Sequence, residues 1–208
     1  PANEAWWPSY TAWQAFAVKV LVEGGRNQDS NLNRIYEYRD RMPVFALAYL
    51  HDALLARAAG RASTDSADRM ADLRRRMFNA VLPEAGSAHV EELSDPYLLW
   101  FWNSNITSTA IVLNSLVRAD VADAPIRQMV RWLLSSREDG RWGNTQENAL
   151  AMEALVAYYR KHEANMSGNE GNTSTRGRDP FAGRIPISFI TGFLGSGKTT
   201  LLKKLLRH

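Results

Sequence analysis

The residue spacing in this 208-residue chain best suited to chemistry lies near its end, in "GFLGSGKTT", residues 192–200. It satisfies G-x-x-x-x-G-K-[ST], a consensus that cradles phosphate. Gly192, Gly195 and Gly197 let the backbone curl so that successive amides, with Ser196 among them, point at phosphate oxygens. A helix starting near Lys198 adds its positive end. Lys198 is placed to reach the β- and γ-phosphates, and the Thr199 hydroxyl to bind Mg²⁺, with Thr200 beside it. Thr199 is the metal-ligand candidate, and no catalytic side chain is assigned.

Such a loop needs a strand before it and a helix after it. "RIPISFIT" (184–191) reads as a short β-branched strand, and "KTTLLKKLLRH" (198–208) as a helix. Residues 164–184 are rich in Gly, Asn, Ser and Thr, with little apolar mass beyond Met166 and Phe181. They read as a disordered linker.

The rest is predicted helical. The expected spans are Tyr10–Glu23, Asn31–Arg41, Pro43–Ala58, Asp65–Val81, Ile106–Arg118, Pro125–Ser136 and Thr145–Lys161. Pro43 suits a first turn, Gly24-Gly25 and Gly60 suit ends, and Asn144 or Thr145 can accept from the free amides of the last helix. Residues 43–59, 106–119 and 145–159 are apolar around most of their circumference, so they must be covered on several sides. The helices between them are one-sided: Met70, Leu73, Met77 and Phe78 form one stripe, and Ile126, Met129, Val130, Leu133 and Leu134 another. Enclosed helices alternating with one-sided ones predict inner and outer layers. The Thr109 and Thr145 helix starts lie 36 residues apart, one hairpin repeat. The expected fold is therefore all-α, a partial α/α toroid of helical hairpins over residues 1–163, then the linker 164–184 and an orphan β–P-loop–α fragment over 185–208.

Composition narrows the function classes. Lys and Arg number 25 against 22 Asp and Glu, but residues 1–163 balance to −2 and residues 164–208 to +5. The basic surplus belongs to the tail, so the helical body has no charge bias toward nucleic acid. No apolar run approaches the roughly 20 residues of a membrane helix. With no cysteine, a disulfide, a thiolate metal site and a cysteine nucleophile are excluded.

Two resemblances follow from these motifs. "IPISFITGFLGSGKTTLLKKLL" closely resembles the opening strand, loop and helix of CobW-type GTPases, a nucleotide-dependent metal-chaperone family, over about residues 184–207. The resemblance implies GTP and Mg²⁺ as cofactors of the complete domain, held here by Gly192, Gly195, Ser196, Gly197, Lys198, Thr199 and Thr200. The family's second phosphate and magnesium motif, its guanine-reading segment and its cysteine metal motif have no counterpart in the sequence. No bound cofactor is expected for the chain as it stands. "GRWGNTQENALAMEALVAYYRK" (140–161) resembles the closing hairpin of the thioester domain in bacterial alpha-2-macroglobulin-like proteins, and the likeness extends over about residues 5–163. It implies an endopeptidase-inhibitor fragment whose partners are proteases or neighbouring macroglobulin domains. Without cysteine the family's C-x-E-Q thioester is absent from this chain.

The helical likeness implies the periplasm or cell envelope and the loop implies the cytoplasm. "MSGNEGNTSTRGRDPFAGR", from Met166, reads as the natural start of a separate GTPase. The expectation is a fused or read-through product of two genes, truncated at both ends and without nucleotide binding as it stands. The alternative is a CobW-type GTP-binding metal chaperone, with GTP hydrolysis if the remaining domain follows; a toroid hydrolase is third. For the hydrolase, Trp142, Gln146, the Trp6-Trp7 pair and Trp100 with Trp102 would line a cavity, with Glu91, Glu92 and Asp95 as acids. Burial for area and solvated loop acids are the readings favoured for them. His51, His89, His162 and His208 lack metal-ligand spacing, Arg74–Arg76 reads as a solvated face, and the apolar tail is a candidate for self-association.

Overall fold

How far the apolar residues extend around each helix decides its layer. The computed structural model describes residues 6–60, 63–92, 104–121 and 124–163. Four helices form an inner layer: α1 (Trp7–Glu23), α3 (Val44–Gly60), α5 (Asn105–Arg118) and α7 (Thr145–Tyr158). Between them run α2 (Asp29–Glu37), α4 (Thr64–Asn79) and α6 (Ala124–Ser135). In chain order α1 packs on α3, α3 on α5 and α5 on α7, while α4 covers α3 and α6 covers α5. One outer helix between successive inner ones turns the chain back, so the inner helices run the same way. This is the all-α arrangement of layered hairpins expected from the sequence.

The two layers differ in chemistry. Phe45, Ala46, Leu47, Ala48, Leu50, Ala53 and Leu54 are buried on every side of α3. On α4 only Leu73 and Met77 are buried, with Met70 and Phe78 packed at the core's edge. Caps fix where helices begin. Ser63, Ser104 and Asn144 each accept, through the side-chain oxygen, from the amide three residues on. At the end of α1 the left-handed Gly25 (φ +77°) lets the Arg26 amide reach back to the Leu21 carbonyl at 2.8 Å.

α1 starts three residues before its expected Tyr10, at Trp7, and α3 runs on to Gly60; three helix ends fall short of the expected spans for identifiable reasons. The second helix stops at Glu37, and Arg39–Arg41 form a separate 3₁₀ turn. Pro43 explains this: the residue before a proline is pushed out of the helical region, and Met42 is extended (φ −86°, ψ 144°). The fourth helix ends at Asn79, because Val81 belongs to a hairpin. In it β1 (Val81–Glu84) pairs antiparallel with β2 (Ser87–Val90), Val81 facing Val90 and Glu84 facing Ser87. Pro83 cannot donate within a helix, and Gly86 takes the positive φ (+83°) of the tight turn. Ala88 and Val90 bury one face of β2 against α6 and α5. The last helix passes at Tyr159 into a wide π turn reaching Glu163. Among the described residues no helix is long and apolar enough to cross a membrane.

Candidate functional site

Gly192, Gly195, Ser196, Gly197, Lys198, Thr199 and Thr200 lie outside the described residues, together with the linker and the strand before the loop. What the described structure shows is how the helical body gathers its polar groups at the two ends of the inner layer.

At the N-terminal end, Glu92 leaves β2 and reaches the start of α3. Its two carboxylate oxygens accept from the amides of Phe45 (3.0 Å) and Val44 (3.2 Å), and the Ser108 hydroxyl of α5 donates at 3.2 Å. Glu92 is thus the N-terminal cap of α3, placed where the helix's free amides favour an anion. Burial pushes its carboxyl above the ordinary value, and the bonds from Phe45, Val44 and Ser108 only partly pull it back. Beside it, Ser104 caps α5 and also donates to Glu147 Oε1 at 2.6 Å, while the Glu147 amide donates to the Asn144 cap at 2.9 Å. Val90 N–H donates to Thr109 Oγ1 at 2.9 Å. The starts of α3, α5 and α7 are stitched together by two carboxylates with neutral donors.

Toward the C-terminal end the groups are ionic. Arg118, in the last turn of α5, donates to Asp52 of α3 (2.9 Å) and to Glu23 of α1 (2.7 Å). Asp52 is buried, and its second oxygen has no hydrogen-bond partner. Next to it His51 is fully buried, with Nδ1 2.9 Å from Ser115 Oγ. Ser115 Oγ is also 3.3 Å from the Ala48 carbonyl, so we assign the hydroxyl proton to that carbonyl and the ring proton to Nδ1. A serine, a histidine and an aspartate meet here, yet His51 and Ser115 have 0% exposure, so no substrate reaches them. The trio is a packing device between α3 and α5.

On the outer layer Asp72 of α4 accepts from Arg39, Arg76 and the Tyr36 hydroxyl at 2.9–3.1 Å. Burial alone would raise its carboxyl; the bonds from Arg76, Arg39 and Tyr36 outweigh that and hold it below the ordinary value. Arg76 also pairs with Asp40. This corrects the reading of Arg74–Arg76 as a solvated face: Arg75 is exposed, whereas Arg76 fastens α4 to the turn after α2. A cleft of about 310 Å³ lies between α2 and the start of α4. Its two arginines are already paired, Arg57 with Asp29 and Arg69 with Asp65.

The remaining candidates divide between packing and solvent: in the Trp6-Trp7 pair Trp7 is half-buried, whereas Trp6 is exposed, against the burial expected for it. Trp142 is buried, its indole N–H donating to the Leu133 carbonyl at 3.0 Å, which pins the loop before α7 onto α6. Gln146 is exposed. Glu91 is exposed while its neighbour Glu92 is committed to capping, so they form no acid pair; Asp95, Trp100 and Trp102 lie outside the described residues. His89 stacks on Trp132 with ring centres 4.7 Å apart, and His162 packs near Tyr158; His208 lies outside the described residues. No cluster of metal-ligating side chains occurs among the described residues. Glu92 as a cap was not foreseen, because it lies 47 residues from Phe45 and only the folded chain brings them together.

Comparison with known proteins returns one family. Residues 186–208 match "CobW/HypB/UreG, nucleotide-binding domain". The match contains the whole glycine-rich loop and does not extend into the helical body. No curated protein matches the chain, and no solved structure matches it.

Proposed function

We propose that residues 186–208 are the phosphate-binding opening of a CobW-type GTP-binding domain, and that the helical body is an interaction scaffold joined to it. The observation that carries this reading is the family match, which covers the loop together with the segments expected to form the strand before it and the helix after it, rather than the loop consensus alone. In it the amides of Gly195 to Lys198 wrap the phosphates, Lys198 neutralises the β- and γ-phosphates, and Thr199 holds Mg²⁺. Such a loop works when its strand is fixed in a parallel sheet. The described residues contain an antiparallel hairpin and no parallel sheet. Ordering the loop on its own would cancel most of the gain from phosphate contacts.

Calorimetric titration with Mg-GTP tests both halves of this proposal. Residues 1–208 should show no micromolar binding. Residues 184–208 grafted in place of the opening segment of a complete CobW-type domain should bind in the micromolar range and lose that binding in Lys198→Ala. A graft without Lys198-dependent binding would sink the GTPase reading. Micromolar binding by residues 1–208 would sink the preorganisation argument.

A second reading, the helical body as part of a bacterial alpha-2-macroglobulin-like inhibitor, is favoured by the parallel inner layer that such a toroid requires. Having no cysteine, this chain would act there through contacts with proteases or neighbouring domains, without covalent capture. Co-elution with a protease in size-exclusion chromatography tests it; separate elution at micromolar concentrations would count against it.

A further inference from the structure

We infer that Asp139–Gly140 is a backbone modification site, at which the chain closes to a succinimide and reopens as isoaspartate, the product that isoaspartate-specific carboxyl methyltransferases recognise. The sequence contains this Asp-Gly pair once and no Asn-Gly pair. Asp139 and Gly140 are the central residues of the turn between the bridged residues Glu138 and Arg141, and both are exposed. Their φ angles, +50° and +77°, are both left-handed, as a type I′ turn demands.

This turn leaves the two reacting groups free. Its backbone bonds run from the Glu138 amide to the Arg141 carbonyl (2.9 Å) and from the Arg141 amide to the Glu138 carbonyl (3.0 Å). Neither the Gly140 amide nor the Asp139 carboxylate has a hydrogen bond or an ion pair. A side chain built on Gly140 would meet nothing within 4 Å, so the space beside its nitrogen is open. Ring closure needs rotation about the Asp139 Cα–C bond, and an exposed loop tip gives that rotation room.

The chemistry balances with water alone. The Gly140 nitrogen bonds to Asp139 Cγ, the Cγ–OH bond breaks, and the hydroxyl leaves as water with the amide proton. Water then adds to one of the two ring carbonyls. Opening at Cγ restores aspartate. Opening at the former main-chain carbonyl routes the chain through Cβ and Cγ and frees an α-carboxylate, the group that a methyltransferase esterifies. An L-residue in the left-handed region is strained, and the extra backbone methylene frees residue 139 from that constraint.

Other aspartates lack this combination. Asp120 is also left-handed (φ 61°), but Lys161 pairs with its carboxylate at 3.1 Å. The residue after it, Val121, is β-branched, and its amide is already bonded to the Leu116 carbonyl at 3.2 Å. The two Asp-Ser pairs lie inside α2 and α4, with Asp29 bound by Arg57 and Asp65 by Arg69.

Ageing the full chain at neutral pH and physiological temperature tests this. The aged chain is treated with an isoaspartate-specific carboxyl methyltransferase and labelled S-adenosylmethionine, and the label is located by peptide mass spectrometry. Label should accumulate at residue 139 and be absent at residue 120. Asp139→Glu should lose it, because closing a six-membered ring is far slower, and Asp139→Asn should gain it faster than the parent. A synthetic peptide of residues 136–144, aged in parallel, shows whether the fold permits the reaction, whatever the variants do to folding. Label in the peptide with residue 139 of the folded chain unmodified would overturn the proposal. Equal labelling of the parent and Asp139→Glu chains would overturn it too.

Discussion

The two ends of the inner layer solve one problem by opposite means. At the amino ends of α3, α5 and α7, Glu92 and Glu147 accept from amides and hydroxyls, and the free N–H groups of the helices supply the positive field. Toward the carboxyl ends Arg118 supplies a full positive charge and two carboxylates answer it. The first end holds anions with dipoles, so salt has little to screen. The second holds ion against ion, with Asp52 almost fully buried and Glu23 and Arg118 about one-third exposed. Dipoles are built into the backbone and cannot be mutated away; the arginine can.

Removing Arg118 should therefore give the largest effect. Arg118→Met strands the Asp52 carboxylate in the interior, and we expect a loss of about 3 kcal/mol in urea unfolding. Adding Asp52→Asn should restore part of that. If the single variant costs less than about 1 kcal/mol, the C-terminal end is not held by this pair.

Glu92→Ala removes the cap of α3 and should cost about 2 kcal/mol, with Glu92→Gln costing less because one capping bond survives. The pH dependence sharpens the contrast. Glu92 has its folded value raised, so its contribution is complete below the unfolded value of about 4.3 and is lost as pH rises through the folded value. Asp72, held low, behaves oppositely, losing its contribution as pH falls below about 3.9. Unfolding titrations from pH 4 to 7 should show a decline in the parent protein that Glu92→Gln flattens. An unchanged slope would refute that assignment.

The smallest effect belongs to Ser104→Ala, about 1.5 kcal/mol, because it removes the cap of α5 and one bond to Glu147 while leaving every arginine–carboxylate pair in place. Its loss should be insensitive to added salt, whereas the stability tied to Arg118 should weaken.

Much of this framework is written locally. The layers follow from how far apolar residues extend around each helix, and Asn144 with Glu147 marks a helix start within four residues. What could not be read locally depends on distance along the chain. Glu92 caps a helix 47 residues away. Asp72 collects Arg39 and Tyr36 from another helical hairpin. The β1–β2 hairpin was missed for a different reason: Val81-Leu82 continues the helical apolar pattern, and Pro83 with Gly86 was the overriding signal. The phosphate loop is the reverse case. Its motif declares its chemistry, while the helical body has no such signature and its role must come from its surfaces.

The Arg118–Glu23 bond joins residues 95 apart in sequence, and it passes over α3 to do so. Neighbouring hairpins can associate one after another as a short chain of local steps. This bond needs α1, α3 and α5 aligned together, and a contact made after the transition state contributes little to the speed of folding and much to the slowness of unfolding. Arg118→Met is therefore expected to speed unfolding more than it slows folding, and stopped-flow rates showing this would make the arginine at the end of α5 a kinetic latch on three helices.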